Sequence, residues 1–277
     1  LADRDHPLTW RSIVNRVWLY HFGRGIVNSP NDFGMMGDLP THPALLDWLA
    51  VEFRDGGQWI TTPQSIKRLH KLIVTSRTYR QSSAHVERHA KVDSANRFYW
   101  RAPRRRLEAE AIRDTVLYVA GKLDATMYGP GFRDFVIEQP DHSPQFMYDK
   151  HDPDDPASHR RSIYRFLPRS QPQPFMEVLD CADPSQQVAR RDETVTALSA
   201  LALLNNKFML RMAEHFASRL ESEADEIDAQ IEAAFELALS RLPTEKERVL
   251  LIAHAEEFGL PSACRVLFNM NEFVFVD

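Results

Sequence analysis

Residues 104–123 read RRRLEAEAIRDTVLYVAGKL. Leu107, Ala111, Ile112, Val116, Val119 and Leu123 recur at intervals that a 3.6-residue turn gathers into one apolar stripe. The spacing predicts a helix over 104–123 with this stripe toward a core. Its other face is charged: Arg104, Arg105, Arg106, Glu108, Glu110, Arg113 and Asp114. Arg106 and Glu110 are an i, i+4 pair, and so are Glu110 and Asp114. Two carboxylates one turn apart repel unless a cation sits between them. Such a pair can share a proton or a metal, which raises one pKa. Glu110 and Asp114 are therefore candidate catalytic groups. The plainer reading is an ion-pair network that locks this helix to Arg190-Arg191 or to the Asp180–Asp183 segment, fixing geometry more than adding stability.

Helical periodicity dominates on both sides of this stretch. Upstream, Ile13, Val14, Val17, Trp18 and Phe22 form a first stripe that stops near Gly23 and Gly25. Residues 26–41, rich in Asn, Gly and Pro, read as a loop. Thr41 is the expected N-cap of a second helix, with Pro43 in its first turn and Leu45, Leu46, Leu49 and Phe53 inward. Gly56-Gly57 closes it, and a third helix starts near Ser65. Residues 77–102 are polar and weakly periodic.

Downstream, residues 124–160 are the least regular. A stretch this long exceeds the roughly 12–15 residues usual for a structureless loop, so it is functional, mobile or hides short strands. Alternation from Arg161 to Leu167 predicts a strand. Helices resume over 194–204, 206–221, 226–241, 245–257 and 261–273, with Thr244 and Glu247 spaced as a capping box. The expected fold is mainly α, a multi-helix globular domain of eight or nine helices with a minor β element near 161–179. Three segments follow: an N-terminal helical block (1–123), an irregular loop-rich segment (124–193) and a C-terminal helical block (194–277). The two blocks are expected to share one composite domain, packed around the 104–123 helix.

Composition narrows the function classes. Hydrophobic residues at 43% and charged residues at 26% fit a globular chain and exclude global disorder. Thirty-four Lys+Arg against 39 Asp+Glu leave a net charge of −5, which argues against non-specific nucleic-acid binding. No run approaches the roughly 18 apolar residues of a membrane span. Cys181 and Cys264 are too few for a zinc site of their own. Neither lies in C-x-x-C or C-x-x-C-H, so no cofactor attachment is expected within this chain. The chain opens at Leu1 and enters a helical pattern almost at once, which reads as part of a longer protein.

Familiar catalytic signatures fail. The sequence holds no G-x-x-x-x-G-K-[ST], no G-x-G-x-x-G and no G-x-S-x-G. His85 and His89 stand at i, i+4, but Glu87 is at the third position where H-E-x-x-H needs the second, so a solvated helix face is the better reading. Asp152-Pro153-Asp154-Asp155 lacks the glycine and glutamate of a calcium loop and reads as a solvated acidic turn.

Several short motifs follow one another in order. Asn15-Arg16-Val17-Trp18, His21-Phe22-Gly23-Arg24-Gly25-Ile26-Val27 and Pro30-Asn31-Asp32-Phe33-Gly34 open the series. Thr41-His42-Pro43, Leu45-Leu46-Asp47-Trp48-Leu49-Ala50, Leu72-Ile73-Val74-Thr75-Ser76 and Thr78-Tyr79-Arg80-Gln81-Ser82-Ser83 continue it. Arg104 to Asp114, Ala200 to Asn206 and Asn271 to Asp277 close it. Together they resemble domain-of-unknown-function family 1553, a planctomycete-type domain found C-terminal in cytochrome-c-associated proteins. The resemblance runs nearly end to end. It implies an extracytoplasmic (periplasmic) parent with haem c in a neighbouring domain, and it implies no activity. Residues 132–160 match it loosely, and Cys181 stands where a small or apolar residue is expected.

Four constellations carry candidate function. His21, Asp32 and His42 flank one loop, with Asn31 beside them; a carboxylate orienting an imidazole serves general bases and metal ligands. These three are the candidate metal ligands and, with Glu110 and Asp114, the candidate catalytic set. The structural alternative has Asp32 capping a turn and both histidines at helix ends. Arg105, Arg106, Asp180, Arg190 and Arg191 are candidate ligand-binding residues, because arginine forks suit carboxylate or sulfate groups. Among the aromatics, Phe132, Phe135, Phe146 and Tyr148 lie in the irregular stretch and have no periodic reason to be buried.

The favoured expectation is an accessory module that binds either other domains of its parent or an anionic saccharide, with 124–193 as the surface. The rival is a hydrolytic or redox enzyme, possible metal dependence included, centred on His21, Asp32 and His42. In a third reading the domain simply docks against a haem domain.

Overall fold

The computed structural model describes residues 3–139 and 143–276. Asp277, the last residue of the closing motif, lies outside the described residues. The chain is mainly α, and it divides into two compact units at Arg105/Arg106. No helix among the described residues is long and apolar enough to cross a membrane.

The first unit holds α1 (Thr9–Phe22), α2 (Pro43–Asp55), α3 (Ile66–Val74) and the single turn α4 (Glu87–Ala90). The periodic positions of α1 do what their spacing requires: Val14, Trp18 and Phe22 are buried against Leu46, Leu49 and Phe53 of α2 and Leu69 and Ile73 of α3. Trp18 stacks on Phe22 at 4.3 Å and donates its indole N–H to Tyr99 Oη at 2.9 Å. Gly23 ends α1 at φ 68°, a backbone that favours glycine. Ser65 caps α3 as expected. Thr41 does not cap α2: its N-cap is His42, which makes no side-chain cap bond, while the Thr41 hydroxyl donates to Ile26 O at 3.3 Å. The tie between the two ends of the loop therefore outcompetes the capping role.

A short strand β1 (Arg105–Arg106) stands at the division. The second unit then runs through α5 (Ala109–Val119), β2 (Val136–Glu138), β3 (Gln145–Met147) and α6 (Pro174–Val178). It continues with α7 (Ala197–Asn205), α8 (Lys207–Glu223), α9 (Ile227–Leu239), α10 (Glu245–Phe258), α11 (Leu260–Phe268), α12 (Asn271–Val274) and β4 (Phe275–Val276). The core gathers Ile112, Val116 and Leu117 of α5, Met209, Met212, Phe216 and Leu220 of α8, Ile231 and Phe235 of α9, and Leu267 and Phe268 of α11. Met209, Met212, Phe216 and Leu220 recur at helical spacing, which is why one face of α8 is fully covered. The capping box at Thr244 and Glu247 forms. Within this unit α5 packs against the C-terminal helices.

Four expectations are decided here, and three of them change. The helix expected over 104–123 spans only 109–119, because the Leu107 N–H donates to Val274 O at 2.8 Å and holds the preceding residues extended. At its other end the chain reverses at Gly121, φ 70°. The strand expected over 161–167 is instead a 3₁₀ turn, Ser162–Tyr164; among the described residues its β character is one bridge of Arg165 with Phe132, with another of Arg160 and Asp124 just before it. The irregular segment hides short strands: β2 pairs with β3 antiparallel, Ile137 opposite Phe146. Among the described residues twelve α-helical segments stand where eight or nine are expected, since α4, α6 and α12 are four or five residues long and too short to print a period on the sequence.

Candidate functional site

The residues singled out from sequence have defined partners. His21 sits at the end of α1 with its Nε2 2.7 Å from His70 Nδ1 and its ring edge-on to Tyr79. Burial, then the neighbouring His70 and Arg105, hold its pKa below the ordinary imidazole value. Asp32 accepts the Gly34 N–H at 2.8 Å within its own turn. Asn31 Oδ1 accepts from Arg16. His42 Nδ1 lies 2.9 Å from Thr41 Oγ1, and its ring rests near Phe98 and Tyr99. No group of three or more His, Cys, Asp or Glu able to hold a metal occurs among the described residues, so His21, Asp32 and His42 do not form one.

Glu110 and Asp114 also have separate partners. Glu110 accepts from Arg191 at 2.6 Å, and the Cys181 thiol points to it at 3.7 Å. Burial pushes the Glu110 carboxyl up, but the Arg191 hydrogen bond and charge, its own backbone N–H and the Cys181 thiol together outweigh it, and the pKa falls below the usual value. Asp114 accepts the Ser162 N–H and hydroxyl, both at 2.7 Å. Arg106 donates to Asp180 at 2.7 Å and to Thr194 O at 2.5 Å, and Thr194 closes the ring back onto Asp180. The helix is thus tied through Glu110 to Arg191, and the strand before it through Arg106 to Asp180. Arg105 donates to Tyr20 O, and Arg190 is exposed. Arg106 and Arg191 therefore already hold carboxylates of their own chain.

A different set converges in the second unit. Arg113 of α5 is only 5% exposed. It donates to the carbonyls of Ser158 and Arg160 and to Ser162 Oγ, and its guanidinium lies 5.0 Å over the Phe132 ring. Burial pushes its pKa down to about 10, against the opposing pull of Asp134 and Asp114. Asp134, 6% exposed, has Arg165 Nη1 3.6 Å away, beyond hydrogen-bond length. Among the described residues nothing donates to it, and its buried Oδ1 has no partner. Arg165 Nε is likewise buried without an acceptor.

Arg113 and Asp134 line a cleft of about 330 Å³ with Tyr148, His151, Gln173 and Lys207. Phe175 and Phe208 supply apolar wall. Burial, reinforced by Asp134, pushes the Tyr148 phenol up to about 12, so it stays protonated, donating to Gln171 O at 2.8 Å. Burial holds His151 below the ordinary imidazole pKa, and its ring nitrogens make no hydrogen bond among the described residues. Lys207, the first residue of α8, is exposed at the rim and donates to His151 O at 3.0 Å. The cleft therefore offers a free acceptor, an uncharged imidazole and a surface cation beside aromatic wall.

The aromatic expectation is corrected here. Phe132 and Phe135 are buried, because the β2–β3 hairpin folds them inward; Phe135 packs against Phe146 at 4.8 Å and Tyr148 at 5.4 Å. His85 lies outside α4, so the i, i+4 pair is not one helix face; both imidazoles stand edge-on to Trp100. Asp154 is not a solvated acid but pairs with Arg211 at 2.7 Å and His215 at 2.6 Å. Both cysteines are free, and burial pushes the Cys181 thiol up to about 11.

Sequence reasoning missed Asp134, His151, Gln173 and Lys207. Their sole signal was the unexplained length of the irregular 124–160 stretch, which holds two of the four. A family model described as "PSD1: Protein of unknown function (DUF1553)" matches residues 1–255. No curated protein and no solved structure matched the chain.

Proposed function

Since the chain belongs to the DUF1553 family, whose description assigns no activity, we propose from the cleft that it is an accessory module that binds an anionic saccharide in its second unit. One observation carries this reading: Asp134 is a buried carboxylate that lines a cleft and accepts no hydrogen bond from the described residues. Buried polar groups are nearly always paired, and an unpaired one costs on the order of 1–3 kcal/mol, more when charged. Ligand hydroxyls would supply the missing donors. The Tyr148 and Phe208 rings suit the apolar face of a sugar. Lys207 at the rim suits an acidic substituent. The volume lies at the lower end of the roughly 300–1,000 Å³ typical of small-ligand sites.

The family resemblance supports an extracytoplasmic, cytochrome-c-associated parent, with docking against its other domains as the competing partner reading. Calorimetric titration of the whole chain with neutral, carboxylated and sulfated oligosaccharides tests the proposal. The acidic members bind, Lys207→Ala weakens them about tenfold, and Asp134→Asn abolishes binding. No binding by the wild type, or variants that bind as it does, would overturn the reading. Titration against a haem-c domain tests docking separately.

A second reading has one observation in its favour. His151 is an imidazole whose ring nitrogens make no hydrogen bond among the described residues, held below its ordinary pKa by burial and electrostatically coupled to Asp134, as suits a general base. Release of new reducing ends from the same oligosaccharides, lost in His151→Ala, would move the function from binding to hydrolysis.

A further inference from the structure

A second, smaller cleft of about 150 Å³ adjoins the first. Gln173 lines both. The buried Asp134–Arg165 pair links them, since Asp134 lines the first and Arg165 the second. Each ion keeps an unpaired buried atom of opposite character: an acceptor on Asp134, a donor on Arg165. Their side chains are 8% and 2% exposed, so the mismatch is built into the fold rather than left on a flexible surface. Arg165 Nη2 reaches only the weak acceptor Cys181 Sγ, at 3.4 Å. The exposed Arg169 lines the same cleft, opposed by Glu177 and Asp183.

The volumes assign different tasks. The second cleft is well below the usual range for an independent ligand site. It has room for a substituent or one added unit of something already held in the first. The polarity sets the direction: at the first cleft Asp134 Oδ1 has no donor, and at the second Arg165 Nε has no acceptor, although Glu177 and Asp183 line the same cleft.

We propose that the second unit binds an acidic oligosaccharide across the two adjoining clefts, hydroxyls against Asp134 and a carboxylate or sulfate against Arg165 and Arg169. This rests on the reading of the first cleft as a saccharide site. The first cleft has about twice the volume of the second, so a disaccharide fills the first alone and a longer acidic chain gains the second. One charge-assisted hydrogen bond to the anion corresponds to a gain of about tenfold or more.

The test uses the whole chain and calorimetry with uronic-acid and sulfated-galactan oligosaccharides of two and four residues, and neutral cello-oligosaccharides as controls. In the wild type the acidic tetrasaccharide binds at least about tenfold tighter than its disaccharide, and the neutral pair shows no such gain. Arg169→Ala, at an exposed position, removes the gain and leaves disaccharide affinity unchanged. Glu177→Gln, which removes an opposing acid from the same cleft, increases the gain. Equal affinity for the two lengths, or a gain that survives Arg169→Ala, overturns the two-cleft proposal while leaving the first cleft standing. Absence of binding by every probe removes both.

Discussion

Glu247 offers a quantitative test of how the C-terminal helices are held together. Its carboxylate accepts the Thr244 N–H at 2.8 Å and the Thr244 hydroxyl at 2.7 Å, and receives the Arg241 fork at 2.8 and 3.0 Å. Arg241 also reaches Glu272 of α12 at 2.7 Å. These bonds, the Arg241 fork first, pull the Glu247 pKa down to about 2 from 4.5. At about 1.36 kcal/mol per pKa unit the full shift would be worth about 3.4 kcal/mol. The side chain is nearly a third exposed, and exposed ion pairs measure about 0.2–1 kcal/mol, so roughly 1–1.5 kcal/mol is the expected value.

Glu247→Gln keeps a capping side chain and removes the charge. It should cost that amount at pH 7. The folded pKa is depressed, so the stabilisation is fully present above the unfolded value of about 4.5. It fades as pH falls toward 2, with about half gone by pH 3. Urea unfolding followed by circular dichroism at pH 7, 5, 4 and 3 measures the gap between wild type and variant. A gap that stays constant to pH 3, or no gap at pH 7, would refute the charge-based account. Glu247→Ala should lose the cap as well, about 1 kcal/mol more.

If the ligand is anionic, its affinity for the cleft should rise as pH falls below the depressed pKa of His151, where the ring becomes cationic; calorimetry over pH 7 to 5 should show this rise in the wild type and not in His151→Ala. By linkage, the same depressed pKa makes the wild type lose stability as pH falls from about 6.5 toward that folded value. In the first unit, Asn15 is wholly buried and pairs both ways with Val27, Nδ2 to the carbonyl at 2.9 Å and Oδ1 from the N–H at 2.8 Å. Asn15→Asp turns a donor into a buried anion facing a carbonyl, and thermal unfolding should report a loss of roughly 2–4 kcal/mol.

Much of the helical framework was legible because helix signals are local. The stripe of α1, the Ser65 cap of α3 and the capping box of α10 each involve residues within a few positions of one another. The 104–123 helix shows where that logic stops. Its local propensity continues past Leu107, but pairing with Val274 claims the backbone there. The alternating pattern at 161–167 likewise gave way once Arg113 took the carbonyls of Ser158 and Arg160, with Ser162 bonded to Asp114. Asp32, His21 and His42 are adjacent in sequence yet answer to different neighbours, which the loop length alone does not reveal.

Sequence by itself determined that the chain is mainly helical, which faces of its longer helices are apolar, and which family it resembles. Those properties repeat every three to seven residues or stand in short ordered motifs. Only the tertiary structure decided where α5 begins, that the irregular segment carries a hairpin, and that Asp134, His151 and Lys207 meet at one cleft. Those residues come from a loop, a turn and a helix start with no shared period. What brings them together is burial of distant side chains against α5 and α8, a long-range free energy that no local pattern encodes.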